Sequence, residues 1–432
     1  MVKWILLFFL PISLIAERSF SLETLGYANH FSEDKLDTKT TEYKRNSNLY
    51  LIPKFIGKET EEKFGYEFGF LFPVSFNEKK NTIYSLGNSF LFYDFKGIQF
   101  IFGRKEFQKR NHFLPRDGVE GVKVEYKFLK YFELEFIAFD YYRAFPIFEF
   151  EFGKVQEDIE NQIGTRSRHG LGLKFKKDSL EADVRFLYLN LGNWGKSSKD
   201  DARKIPSGDD DFIYHGDFLF SNVNRNLDLH LGLHFSRGLD KSISNPIRKE
   251  RSTLISGEAI SIKGNLKLSI FYLSLSSFLP DRDKRNEAGE VLETGYVAMG
   301  TNITNSYLIT REINFYPSSW VTSSGFEKQN GIKGARRNSF SSEARLGLEY
   351  LGFSFSIFGN YFLPYLETGG SNGSVSISKK DFSKSFLAEL GFEFEFKPKE
   401  NFFCKVQASR LFTSKDISME GSFVSIASGL RF

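Results

Sequence analysis

His230 and His234 stand four residues apart in Leu227-Asp228-Leu229-His230-Leu231-Gly232-Leu233-His234, and two imidazoles so close in sequence raise the question of a metal site. The run alternates between leucine and other residues, so it reads as a strand, and four extended residues cover about 13 Å, too far for one ion. His215, Asp217, Asp228 and His230 could still meet across a hairpin, although water-facing polar side chains account for the same residues. Two other runs borrow the spelling of catalytic loops. Gly369-Gly370-Ser371-Asn372-Gly373 matches the nucleophile elbow, but that elbow needs a strand-to-helix turn and this serine sits in a Gly- and Ser-rich stretch. Trp194-Gly195-Lys196-Ser197 has the ending of a phosphate-binding loop, yet Asn190 occupies the place of its first glycine. No catalytic, cofactor-binding or metal site is expected, no cofactor, and no enzymatic activity.

What remains is the chemistry of fixed charge. Lys105, Lys123, Lys174, Arg185 and Arg345 fall at alternate positions of apolar-rich segments, and Glu125, Glu135, Glu258, Glu389 and Glu393 fall at equivalent ones. Rings of Lys and Arg on a confined, low-dielectric wall attract anions, and rings of Asp and Glu attract cations. Opposed ladders of both signs can instead form transverse ion pairs that brace the wall and select nothing. Arg104 shares its parity with Phe100 and Phe102, a lipid-facing set where a midplane Arg costs about 2–4 kcal/mol, so it is expected at a strand rim or past a bulge. Arg116 and Asp117 lie in the following loop, 108–118, which is expected to narrow a pore. The candidate pore-lining or constriction set is therefore Arg104, Lys105, Arg116, Asp117, Lys123, Glu125, Lys174, Arg185 and Arg345.

Strands must carry these charges, and the alternation supplies them. Segments of about ten residues recur from Asn48 onward, joined in turn by tight polar turns and long polar loops, the rhythm of a membrane barrel. Expected hairpins pair 82–95 with 98–107, 119–128 with 132–143, 169–177 with 180–191, 212–221 with 227–237, 342–350 with 353–363 and 385–397 with 401–412. Segments 252–262 and 266–277 are expected to join through Lys263-Gly264-Asn265. Outward sets are apolar, as in Leu227, Leu229, Leu231, Leu233 and Phe235, while Asp228, His230 and Gly232 face the other way. Segment 291–316 holds one strand or two and 22–31 is a first strand or a leader, which gives about 18 strands, with 16 to 20 allowed. The fold class is an all-β, up-and-down antiparallel transmembrane β-barrel. Long segments such as 192–211 and 278–293 become extracellular loops.

Both ends of the chain fit this reading. The last nine residues alternate, with Val424, Ile426, Leu430 and the terminal Phe432 on the apolar face, as expected of a final strand read by the barrel-assembly machinery. At the other end a short basic start, Met1-Val2-Lys3, precedes an apolar run from Trp4 to Ile15, broken by Pro11 and Ser13. That is the pattern of a secretory signal peptide, and the run is too short to span a membrane as a helix. Cleavage is placed between 16 and 21, leaving residues 22–432 as the barrel.

Composition agrees. Of 432 residues 41% are hydrophobic, yet mean hydropathy is only −0.31, as when half of each strand faces water. The 50 Phe and 19 Tyr suit strand packing and interfacial girdles. Cys404 is the single cysteine, so no disulfide forms within the chain, and its face, shared with Val406 and Ala408, is expected to meet lipid. A net charge of +4 is too small and too dispersed for nucleic-acid binding.

The run Phe102-Gly103-Arg104-Lys105-Glu106-Phe107, followed after a loop by Asp117-Gly118-Val119-Glu120-Gly121-Val122-Lys123-Val124, resembles the alginate-export family of outer-membrane barrels. In that family a strand bearing Gly-Arg-Gln leads to an acidic-Gly-Val-Arg strand; here Lys105 replaces the Gln and Lys123 the second Arg. The resemblance implies passive passage of a polar or anionic solute through an Arg- and Lys-lined channel. The expected function is a porin-like channel of the bacterial outer membrane for diffusion or export of small polar, including anionic, solutes. Its partners are then outer-membrane lipids, the assembly machinery and the solute. The alternative is a surface adhesin or receptor whose loops bind host or phage molecules.

Overall fold

A computed structural model describes residues 17–35, 40–58, 63–74, 85–106, 118–140, 167–190, 212–242, 251–281, 284–285, 291–292, 339–364, 371–372, 375–376, 386–413 and 419–432. Its strands in chain order are β1 (Glu17–Lys35), β2 (Thr40–Lys58), β3 (Phe64–Val74), β4 (Ser85–Phe95), β5 (Ile98–Glu106), β6 (Gly118–Leu129), β7 (Phe132–Asp140), β8 (Ser167–Lys177) and β9 (Leu180–Asn190). There follow β10 (Phe212–Val223), β11 (Leu227–Ser242), β12 (Arg251–Leu268), β13 (Phe271–Pro280), β14 (Lys284–Arg285), β15 (Val291–Leu292), β16 (Ser339–Tyr350) and β17 (Phe353–Pro364). The last are β18 (Ser371–Asn372), β19 (Val375–Ser376), β20 (Leu387–Lys399), β21 (Phe402–Thr413) and β22 (Met419–Arg431).

Eighteen of these form one antiparallel sheet in which each strand pairs with the next, and β22 returns to β1 from Arg431↔Ser21 to Met419↔Glu33, closing the barrel. The expected count of about 18 is therefore met. β14 with β15 and β18 with β19 are two-residue ladders outside the wall. β13 pairs directly with β16, so among the described residues no wall strand comes from the 291–316 stretch. The chain instead gains a strand at its start, since β1 runs from Glu17 and pairs with β2 along its whole length.

Tight turns fix the register at one rim. Lys96-Gly97 and Leu351-Gly352 have positive φ at both central positions (52° and 84°; 46° and 83°), the mirror-image turn whose twist matches paired strands. A Cβ on Gly352 would lie 2.6 Å from the Lys397 carbonyl, so this turn needs glycine for space as well as for φ. The turn expected at Lys263-Gly264-Asn265 is displaced. Gly264 pairs with Leu229 and Leu275 inside the sheet, and the chain reverses at Ser269-Ile270. The physical reason is parity: Ile260, Ile262, Leu266 and Leu268 keep one apolar face to the end of β12, and a strand stops where its alternation stops, not at its first Gly-Asn pair.

The outer face is apolar and exposed, through residues such as Leu229, Leu231, Leu233, Ile260, Ile262, Leu390 and Ile426. Towards the turn rim it becomes aromatic. Phe20–Phe55, Phe132–Phe175 and Phe353–Phe396 rings lie 5.1, 5.1 and 4.4 Å apart, a girdle of the kind that marks a membrane interface. Cys404 pairs with Phe396 and Ser428 and stands on this outer face with Val406, whose ladder partner is the exposed Ile426.

Candidate functional site in the barrel lumen

On the inner face, burial changes along the strand. Towards the loop rim the inner residues are buried, among them Ile137, Leu187, Ala259, Phe278, Phe362, Leu387, Leu411 and Phe423. Towards the turn rim Glu133, Lys174, Lys263 and Lys405 are half-buried, and Lys267 and Glu349 are exposed. The inner face is thus open to solvent on the turn side, a vestibule whose inner end is lined by a belt of polar side chains.

One arc of the belt lies on β6 to β9. Lys123 Nζ is 2.5 Å from Glu125 and 2.8 Å from Glu135, and Lys174 Nζ is 3.3, 2.8 and 3.1 Å from Glu125, Glu133 and Glu135. Arg185 lies 3.1 Å from Glu135 and 3.2 Å from Asp183. Cross-strand rungs put Glu135 opposite Glu125 and Gly172, and a Cβ at Gly172 would sit 3.3 Å from the Glu135 carboxylate, so the bare glycine lets Arg185 and Glu135 meet across β8. Glu135 is only 1% exposed; in so dry a place a carboxylate is tolerable because three cations surround it.

A second arc lies on β16 to β22, starting eight strands further round the eighteen-strand ring and so nearly opposite. Arg345 lies 3.6 Å from Glu393 and 3.7 Å from Glu343, and its guanidinium stacks 5.2 Å from the centre of the Phe358 ring. Lys405 is 3.0 Å from Glu393; Gln407 donates to Glu393 and accepts from Ser425 at 3.1 Å. Each of the five cations in these two arcs therefore has a carboxylate partner. The transverse brace is built, and a ring of bare cations is not present among these residues.

Between the arcs, β10 to β12 carry neutral and histidine chemistry. His234 Nδ1 bonds Asp217, and His234 Nε2 is 2.8 Å from Ser261 Oγ. His230, four residues along β11 towards the turn, bonds Ser221 at 2.7 Å. The grouping His215, Asp217, Asp228 and His230 does not form. His215 stands opposite Ser236 and Asp228 opposite Val223 and Asn265, because the β10–β11 register places Asp217 across from His234. Among the described residues no cluster of three or more His, Cys, Asp or Glu residues is arranged to hold a metal.

Of the sequence-derived set, Lys123, Glu125, Lys174, Arg185 and Arg345 are in the belt. Arg104 aligns with Ser89 and Glu120 two residues before the loop end of β5, and Lys105 aligns with Val119. Arg116, Asp117 and most of loop 108–118 lie outside the described residues, as does Ser371's surrounding loop. Glu258 is a correction: it faces outward with the exposed Ile260 and pairs with Arg237 at 2.9 Å, because one position of parity separates it from the lumen. Sequence reasoning missed the Asp217–His234–Ser261 contact, since it depends on the joint register of three strands.

No family model matches the chain, and no curated protein matches it. The resemblance to the alginate-export family accordingly rests on the run around Gly103 alone. Solved structures do share the architecture. Pseudomonas aeruginosa OccK3 (OpdO) superposes with a TM-score of 0.54 over 98% of this chain and 98% of that one, at 10% identity. The outer membrane protein OpdK of the same organism gives 0.55 over 97% and 100%, at 11% identity. P. aeruginosa OccK2 (OpdF), solved in complex with glucuronate, gives 0.53 over 97% and 98%, at 9% identity. The likeness spans the whole barrel, and it is a likeness of fold: this chain has the architecture of porin-type outer-membrane barrels.

Proposed function

We propose that the chain is a porin-type channel of the bacterial outer membrane that passes small polar solutes by diffusion. The observation that carries this is the combination of a closed eighteen-strand wall, an apolar exposed outer face and an ionic inner belt opening on a turn-side vestibule. A barrel of this size is too wide for its own wall side chains to fill. Selection then comes from pore radius and fixed charge. Sugar acids are favoured solutes on this reading, supported by the Lys- and Arg-bearing strands around Gly103 and by the glucuronate bound to OccK2. The pairing of all five belt cations keeps the anion preference modest. Lipids surround the outer face, and the assembly machinery reads the final strand.

Swelling of liposomes carrying the refolded barrel tests the proposal. Glucose and glucuronate should both enter, with rates within about tenfold of each other. A second reading, a surface receptor closed on its loop side and binding host or phage molecules there, is favoured by the buried inner wall near the loop rim. A folded barrel that admits neither solute would support that reading instead.

A further inference from the structure

The contact on β10, β11 and β12 has the connectivity of a serine nucleophile site: a buried carboxylate on His Nδ1 and a serine hydroxyl on His Nε2. We propose that Ser261 is a nucleophile activated by His234 and Asp217, and that the barrel cleaves carboxylic esters small enough to enter the turn-side vestibule. This goes beyond a diffusion channel and is independent of conductance.

The register explains the geometry. Asp217 and His234 are direct cross-strand partners, whereas Ser261 stands opposite Gly232, two residues along β11 from His234. The imidazole and the hydroxyl meet over that glycine. A Cβ on Gly232 would lie 2.3 Å from Ser261 Oγ and 2.6 Å from His234 Nε2, so glycine is required for them to approach. The second oxygen of the Asp217 carboxylate is buried without a hydrogen-bond partner, which leaves the whole hydrogen bond of that group directed at His234. Nδ1–H donates to Asp217, Nε2 is left bare, and Ser261 O–H donates to it.

Access and charge stabilisation come from the turn side. Ser261 is the last buried inner residue of β12 before the vestibule; Lys263 and Asn265 beyond it are half-buried and Lys267 is exposed. Lys263 shares Ser261's face, about 7 Å further along the strand, and makes no ion pair among the described residues. Its flexible ammonium is the group available to an oxyanion forming in front of Ser261. In the reaction Ser261 Oγ bonds the ester carbonyl carbon as its proton passes to His234 Nε2. The bond from that carbon to the alkoxy oxygen then breaks, and His234 returns the proton to the leaving oxygen. Water, losing its proton to His234, attacks the acyl-serine and releases the acid, and Ser261 takes the proton back.

A fluorophosphonate probe applied to the refolded full-length barrel, with the labelled peptide identified by mass spectrometry, tests this directly. Labelling should fall on Ser261, be lost in S261A and G232A, and slow at least ~100-fold in D217N, with hydrolysis of 4-nitrophenyl acetate falling in parallel. Heat-modifiable mobility verifies that each variant is folded, and bilayer conductance of S261A reports on the channel separately. A folded wild type that takes no label, a label elsewhere, or full-rate labelling of D217N would overturn the proposal and leave the three residues as a wall brace.

Discussion

Phe20 and Phe432 exchange two backbone hydrogen bonds, Phe20 N–H to Phe432 O at 3.2 Å and Phe432 N–H to Phe20 O at 2.7 Å, with their rings stacked 6.2 Å apart. The first and last strands of the wall meet in this pair at the turn rim. Residues Glu17 to Ser21 pair with Lys58 to Lys54 of β2 in the same place. Cleavage at the late end of the 16–21 window would remove them and Phe20's contacts with them. We therefore predict that the mature chain begins at Glu17. Intact mass of the protein taken from outer membranes checks this, and a chain starting at Leu22 would contradict it.

Replacing Phe432 with Ser should lower outer-membrane levels several-fold. The ring is 73% exposed on the outer face, so it contributes little to internal packing, and its loss acts on recognition and on closure with Phe20. Heat-modifiable barrel at wild-type abundance in membrane fractions would refute it.

Glu135→Gln should destabilise the barrel by about 3–5 kcal/mol in urea titrations from lipid vesicles, because Lys123, Lys174 and Arg185 would keep their charges around a neutral amide. Lys267→Ala breaks an ion pair of similar length, 2.7 Å to Glu349, but an exposed and solvent-screened one, and should leave the urea midpoint almost unchanged. Equal losses would mean that the belt is as hydrated as the rim.

Neutralising Lys123 should shift the reversal potential towards cation preference, since Glu125 loses one of its two lysines. An unchanged potential in Lys123→Gln would place the belt outside the conduction path.

Cys404 should react slowly with a water-soluble maleimide in lipid and rapidly after unfolding. Its ladder neighbours Phe396 and Ser428 are on the outer face. Fast labelling of the folded barrel would put it on the lumen side.

Period-two patterning made the hairpins legible to within a few residues, because a strand with lipid on one side and water on the other writes its faces into the sequence. It failed where that contrast weakens. β1, Glu17–Lys35, alternates poorly, so the sequence marks only 22–31, as a first strand or a leader, and Gly264 imitates a turn inside β12. The belt cations were legible as a set; their pairing was not, since Arg185 reaches Glu135 across the intervening strand. Asp217, His234 and Ser261 are 17 and 27 residues apart, and only the shared register of three strands aligns them.

Single-channel recording of the refolded mature barrel in a planar bilayer under a salt gradient tests whether the barrel is a channel. Steady conductance steps are expected, with a modest anion preference that weakens as salt screens the belt. A folded, heat-modifiable barrel that inserts and carries no current would contradict the channel reading.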